Sequence, residues 1–299
     1  MAGIPWSAAT PVAASLEPGV TLPLLLALAV YLRGFGRLRA RKHPRVTLRH
    51  GLAFSGGIAV LLVALASPLH ELGERFLQIH MVQHLLLMML AAPLLWLGRP
   101  LAPLLLGLPR PLTRAGARAL ATRSARGVGR SLSHPAVAWL AFAASTWGWH
   151  MSGPYELALR SESWHHLEHA CFFASALLFW WNVIGPWPSQ PAWPRWSMIP
   201  YLALADIQNT ALCALLTFSD RVWYPTYASL PRPFGLSALE DQAAAGAIMW
   251  IPGSAAFLIA VACIVRELLV RRSAHPRRLE PVTESLPIGS HGLERSAWG

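Results

Sequence analysis

The sequence has 299 residues, of which 54% are hydrophobic and only 13% charged, and its formal net charge is +11. Soluble domains carry about 25% charged residues, so this composition predicts a membrane protein. The three cysteines form no CxxC pair, which excludes a disulfide framework and a thiolate zinc cluster.

The chain divides into a short outer segment, a long apolar region and a polar tail. Residues 1–18 have no basic n-region, so we expect no cleavable signal. Residues 19–270 contain seven apolar runs near the roughly 20 residues that a spanning helix needs. These predicted spans lie at 19–38, 50–67, 76–97, 135–151, 165–186, 198–218 and 243–270, the fourth being the shortest. Residues 271–299 are polar, and we predict that they form a disordered cytoplasmic tail. The fold class is an all-α polytopic membrane protein with seven transmembrane helices.

Basic residues are divided unequally between the two sides of the predicted bilayer. Arg75, Arg160, Arg221 and Arg232 fall on one side, and every other lysine and arginine falls on the opposite side. Cytoplasmic links carry the excess of basic residues in membrane proteins, which predicts an outer N-terminus and a cytoplasmic C-terminus. The positive charge therefore indicates topology and attraction to anionic lipid, and it gives no support to nucleic-acid binding.

Histidines concentrate at the predicted outer ends of the spans. His80 and His84 lie one turn apart on the third span, and His165 and His169 repeat this spacing on the fifth. Imidazoles at i and i+4 share a helix face, so each pair could hold one metal ion. Polar side chains at membrane depth are costly and indicate function. We predict a metal site near the outer surface from His80, His84, His150, His165, His169 and Asp241.

Several further residues are secondary candidates: His166, Met88, Cys171, Gln242 and Asp206. Thioether and thiolate groups favour copper(I), so the methionine and the cysteine make copper the expected metal. His166 leaves the choice between the two adjacent imidazoles open. Asp206, near the middle of a span, is either a proton or ion relay or a carboxyl group bonded to a neighbouring helix.

Two other patterns limit the function. The motif HExxH is absent, so zinc-protease chemistry has no support. The outer loop 219–239 is rich in aromatic residues, and we expect it to form a packed lid over the site.

Five blocks in order resemble one family, the CtaG-type multi-spanning cytochrome c oxidase assembly factors. The blocks are HMVQHLLLMMLAAPLLWLGRPL (80–101), WGWHMSGPYELAL (147–159), HHLEHACFFASALLFWWNV (165–183), TFSDRVWYPTYA (217–228) and DQAAAGAIMWIPG (241–253). The resemblance covers about residues 20–270. The family's polar motif positions correspond here to His80, His84, His150, His165, His169, Asp241 and Gln242.

The resemblance implies an assembly factor of the bacterial inner membrane. It would bind copper at its outer face and aid maturation of the haem–copper oxidase, with no bond made or broken, so no enzyme is expected. The implied partners are an oxidase subunit, a periplasmic copper chaperone, or both, together with membrane lipid. In this role the histidines hold the ion, and Asp241 balances charge or orients a histidine.

Two other functions are compatible with the same residues. The first is a haem-binding membrane redox protein, since histidines on facing helices can hold a haem from both sides. Pairs at i and i+4 argue against it, because two ligands on one helix face cannot lie on opposite sides of the ring. The second is a metal or proton-coupled transporter, which Asp206 suggests.

Overall fold

A computed structural model describes residues 18–188, 193–230 and 235–274, apart from the side chains of His70 and Glu71. The described chain is helical, with 84% helix and no strands in those ranges. In chain order the helices are α1 (Pro18–Ala40), α2 (Leu48–Leu65), α3 (Leu69–Gly73), α4 (Leu77–Leu97), α5 (Leu101–Gly107), α6 (Arg110–Ala121), α7 (Arg123–Leu132), α8 (Pro135–His150), α9 (Ser152–Arg160), α10 (Glu162–Ile184), α11 (Met198–Thr217), α12 (Pro225–Ser229) and α13 (Ala238–Ala274). The predicted outer segment and most of the predicted tail lie outside the described residues.

Six of these helices are long and apolar enough to cross a membrane: α1, α2, α4, α10, α11 and α13. The predicted polytopic all-α fold is therefore confirmed. The fourth predicted span forms α8, which has 16 residues and is shorter than the usual span of roughly 20. A count of seven spans and the orientation of the chain stay predictions.

The basic link between the third and fourth predicted spans is itself helical. It forms α5, α6 and α7, none of which the sequence predicted. In α6 and α7 the arginines recur every three or four residues, at Arg110, Arg114, Arg118, Arg123, Arg126 and Arg130. That spacing places the charges of each helix on one face, the pattern of an amphipathic helix at a surface.

A π-helical segment interrupts α4 directly after His84. It spans Leu86–Ala91, where the N–H of Ala92 donates to the carbonyl of Leu87, five residues back. The next residue, Pro93, has no N–H, so it cannot serve the carbonyl of Met88 in the same pattern. The indole N–H of Trp180 donates to that carbonyl instead, at 2.8 Å. The widened segment is thus fixed from α10, and π segments frequently occur at functional sites.

The buried core runs along α1, α2, α4, α8, α10, α11 and α13. Large aromatic side chains fill it, among them Phe142, Phe172 and Phe179, which are fully buried. Close packing of α13 on α11 depends on Gly246, where a Cβ atom would lie 2.4 Å from Thr217 Oγ1. This packing holds the start of α13 beside the start of α4, where the histidines lie.

Candidate metal centre

The first part of α4 presents His80 and His84 to the interior. The two side chains are 0% and 2% exposed, and their ring centroids lie 4.3 Å apart in an edge-to-face arrangement. One helical turn separates them, so the predicted sharing of a face is confirmed by the geometry. Neither ring nitrogen of His84 has a hydrogen-bond partner within the described chain.

The first two turns of α10 face this pair with three more polar groups. His165, Glu168 and His169 are all buried, and they occupy one helix face because they are spaced at i, i+3 and i+4. The rings of His80 and His165 lie 5.1 Å apart, and those of His84 and His169 lie 5.4 Å apart. Two helices therefore bring both predicted pairs into one cluster.

Four of these side chains are close enough to ligate a single ion. One ligand atom from each of His80, His165, Glu168 and His169 lies within 4.8 Å of the others. With metal–ligand bonds of about 2.0–2.2 Å, the ligand atoms of a tetrahedral site lie about 3.4 Å from one another. The side chains must therefore bring their ligand atoms closer by up to about 1.4 Å to close around an ion. The donor set fits a transition metal that accepts imidazole and carboxylate ligands.

Glu168 lies at the centre of the cluster and was missing from the predicted ligands. It is 0% exposed, and neither carboxylate oxygen has a hydrogen-bond partner within the described residues. Its oxygens lie 3.5 Å from His80 Nε2 and 3.9 Å from His84 Nε2. An ionised carboxylate buried without compensation is very costly, so this group either carries a proton or lies beside a cation, which can be a metal ion or a protonated imidazole. The spacing of three residues after His165 was the signal that could have identified it.

His150, the last residue of α8, lies at the edge of the cluster. Its Nδ1–H donates to the carbonyl of Thr146 at 2.6 Å, which leaves the lone pair on Nε2. That nitrogen is buried and has no hydrogen-bond partner in the described chain. The ring lies 6.1 Å from that of His84, outside the four-residue group. The lone pair on His150 Nε2 is therefore available to an ion at a second position, beside the four-residue group.

A small cavity lies between His84 and His150. It has a volume of about 20 Å³, enough for about one water molecule or a small ion. Methionine side chains line much of its wall: Met81, Met88, Met89 and Met249. The predicted secondary candidate Met88 thus lies next to the histidines. Thioether groups concentrate on the side of the cluster that faces the middle of the bundle.

The described part of the loop between α11 and α13 packs over the cluster, as expected of the predicted packed lid. Tyr224 and Tyr227 are fully buried, and Tyr224 stacks on Tyr155 of α9 with centroids 4.0 Å apart. The hydroxyl of Tyr224 donates to the carbonyl of His150 at 2.8 Å, and that of Tyr227 donates to the carbonyl of Gly73 at 2.8 Å. Burial raises the pKa of Tyr224 and of Tyr227 well above the usual value, so both hydroxyls remain protonated donors.

Asp241, predicted as a ligand, is placed outside the four-residue group. One carboxylate oxygen accepts the N–H of Leu77 at 2.9 Å, and the other accepts the N–H of Gln78 at 3.1 Å. These are the first backbone donors of α4, which have no acceptor within the helix. Asp241 therefore caps α4 from the start of α13, and through α4 it positions the two histidines.

The side chain of Gln242 likewise forms hydrogen bonds to backbone groups and does not belong to the four-residue group. Its side-chain oxygen accepts the N–H of Trp223 at 2.7 Å, and its amide donates to the carbonyl of Arg221 at 3.1 Å. Both contacts fix the outer loop that forms the lid.

The remaining secondary candidates lie away from the ligand atoms. His166 is exposed on α10, so His165 is the imidazole that faces the cluster. Cys171 is half-buried and does not belong to the four-residue group. Asp206 accepts the hydroxyl of Ser254 at 2.6 Å, a bond that joins α11 to α13. That contact favours the interhelical alternative over the relay.

The family model described as cytochrome c oxidase caa3 assembly factor (Caa3_CtaG) matches residues 29–271. This range includes all five histidines of the predicted site, Glu168 and Asp241. No curated protein and no solved structure matches the chain.

Proposed function

The chain belongs to the cytochrome c oxidase caa3 assembly factors, and from this premise we propose that it holds copper for maturation of the haem–copper oxidase. The family implies a non-catalytic role and interaction with the oxidase or its maturation machinery. The observation that carries the proposal is the buried group of His80, His165, Glu168 and His169. A closed set of imidazoles around a carboxylate, inside a helical bundle, is suited to binding a metal ion.

Copper is favoured over zinc by the residues next to this group. Imidazole alone suits copper, zinc, iron and nickel, whereas thioether groups select copper(I). The methionine-lined cavity touches His84 and His150, so an ion could exchange between imidazole and thioether ligands over a short distance. Copper here is cargo, and Glu168 would offset its charge in a region of low dielectric.

The distribution of arginines supports placing this site at the outer face of the bacterial inner membrane. An oxidase subunit or a periplasmic copper chaperone would then meet the protein at the lid formed by the outer loop. Tyr224 and Tyr227 close the site from that side, so transfer requires the loop to open.

The test is the metal content of the protein purified in detergent. We expect about one or two copper ions per chain, and we expect copper(I) to be retained in the presence of equimolar zinc. His80→Ala combined with His84→Ala should abolish this binding, because the double change removes one wall of the cluster. His166→Ala is the matched control, because that imidazole is next to His165 in α10 but is exposed. Normal copper binding by the double variant would disprove the assigned site.

The same preparation tests the two alternatives, a haem-binding redox protein and a transporter. The cavity of about 20 Å³ beside the histidines is far smaller than the 300–1,000 Å³ of typical cofactor pockets, so we expect no Soret absorption band. Asp206→Asn should leave copper content unchanged, because Asp206 contacts Ser254 and lies outside the metal-binding group.

A further inference from the structure

A second cavity lies where α1 ends, away from the histidines. It is an open cleft of about 550 Å³ between the end of α1 and the start of α6. Two arginines from each wall face it: Arg37 of α1 with Arg41 directly after that helix, and Arg110 with Arg114 of α6. In each pair the residues are four apart, and the N–H of Arg41 still donates to the carbonyl of Arg37 at 3.3 Å, so the two side chains of a pair lie on one face. We propose that this cleft binds the phosphate headgroup of an anionic membrane phospholipid.

The charge of the cleft is not neutralised locally. No aspartate or glutamate occurs between residues 18 and 70 or between 75 and 155, so α1, α5, α6 and α7 carry no acidic side chain. All four arginines are exposed, and within the cleft only the polar side chain of Thr113 accompanies them. Guanidinium groups bind phosphate in bidentate fashion, and two opposed pairs suit a headgroup with two phosphates better than one.

The frame around the cleft is rigid. The backbones of α1 and α5 touch, because a Cβ at Gly34 would lie 1.9 Å from the carbonyl oxygen of Pro103, and one at Gly107 would lie 1.8 Å from that of Val30. One guanidinium nitrogen of Arg37 donates to the carbonyl of Leu106 across this crossing. The hydroxyl of Thr113 donates to the carbonyl of Leu105 at 3.0 Å and fixes the corner between α5 and α6. The arginines therefore project from fixed backbone positions.

The depth of the cleft matches a lipid headgroup. The 23 residues of α1 extend about 35 Å, enough to cross the hydrocarbon core, and Arg37 and Arg41 lie at its C-terminal end. The first turn of α6 also lines the cleft, and the positive end of a helix dipole attracts phosphate. The arginine faces of α6 and α7 extend the same basic surface along the membrane plane. A lipid of the same leaflet can thus reach the cleft without leaving the bilayer.

The experiment measures binding of defined lipids to the delipidated full-length protein in neutral detergent. Cardiolipin, with two phosphates, should bind tighter than phosphatidylglycerol, and phosphatidylcholine should show no saturable binding. Arg41→Gln combined with Arg114→Gln should weaken cardiolipin binding at least tenfold. Within the described residues, the side chains of Arg41 and Arg114 donate no hydrogen bond to the protein, so this double change removes none.

The matched control is Arg118→Gln combined with Arg126→Gln, which removes the same charge from exposed positions outside the cleft. We expect its cardiolipin affinity to stay within twofold of the wild type. An equal loss in both double variants would show a diffuse basic surface and overturn the proposal, as would no loss in either. Saturable binding of inorganic phosphate that displaces the lipid would assign the cleft to a soluble ligand instead. Unchanged thermal unfolding without lipid verifies that each variant is folded.

Discussion

At the histidine end of the bundle, polar side chains are buried and converge on one another, whereas at the arginine end they are exposed and diverge into a cleft. Glu168 and His80 are 0% exposed, and Tyr224 packs over this end of the bundle. Gln242 accepts the N–H of Trp223, the residue before Tyr224, and so fixes the loop. Arg41 and Arg114 have no such cover. Burial makes the first group specific and costly, since each charge must find a partner inside the protein. Exposure makes the second group inexpensive to maintain and sensitive to salt.

The largest expected effect concerns the buried carboxylate. Glu168→Leu should lower copper affinity by at least about tenfold, because it removes a ligand and the charge that balances the ion. The metal-free protein should unfold at the same temperature or a higher one, since the change removes a buried carboxyl group that has no hydrogen-bond partner within the described residues. Metal titration and thermal unfolding in detergent measure the two effects.

Glu162→Leu provides the control for Glu168→Leu, because it places the same substitution on the exposed start of α10. Copper binding should not change in this control. If Glu168→Leu kept its copper and unfolded at a lower temperature, the carboxylate would be a structural partner of a protonated imidazole and not a ligand.

The next effect tests the frame of the exposed end. Gly34→Ala places a methyl group 1.9 Å from a backbone oxygen of α5, so the helices must separate. We expect a loss of about 1–3 kcal/mol of unfolding free energy, the usual range for overpacking, together with weaker cardiolipin binding. Gly127→Ala in α7 meets no atom within 4 Å and should be neutral or slightly stabilising. Retained stability in Gly34→Ala would contradict the tight crossing of α1 and α5.

A third change separates positioning from ligation at the buried end. Asp241→Ala removes the acceptor for the N–H groups of Leu77 and Gln78, and loss of a helix cap costs about 0.5–2 kcal/mol. The copper stoichiometry should remain that of the wild type under conditions where the protein is folded. Loss of copper at unchanged stability would restore Asp241 as the ligand that the sequence predicted.

The sequence predicted the parts of this site that depend on spacing within one helix. His80 with His84, and His165 with His169, follow from a period of 3.6 residues, and so do the apolar spans. Glu168 obeys the same spacing but resembled an ordinary acidic residue at a helix start, so it was not selected. The arginine-rich helices α6 and α7 have few large apolar residues, and their sequence resembled a basic link.

Roles that depend on contacts distant in sequence could not be predicted. Asp241 and Leu77 are 164 positions apart, and only the packing of α13 against α4 brings the carboxylate to a helix start. The choice between His165 and His166 likewise required the rotation of α10 about its axis. In each case the residue could be singled out from the sequence, but its partner is set by tertiary structure.

The smallest expected effect is a pH dependence at the lid. Burial raises the pKa of Glu156, but hydrogen bonds from Thr226 and Arg160 outweigh this effect and hold that pKa below the usual value of a glutamate carboxyl group. A carboxylate with a lowered folded-state pKa stabilises the protein above about pH 4.5, and this contribution is lost as the pH falls through the folded-state pKa. Thermal unfolding of the wild type should therefore show a decrease below about pH 5 that Glu156→Gln lacks. The difference should be at most about 1 kcal/mol, the range of exposed ion pairs. Glu74→Gln, at an exposed carboxylate, should retain the wild-type pH profile. Identical profiles for the wild type and Glu156→Gln would show that the bond between α9 and the outer loop does not hold the lid closed.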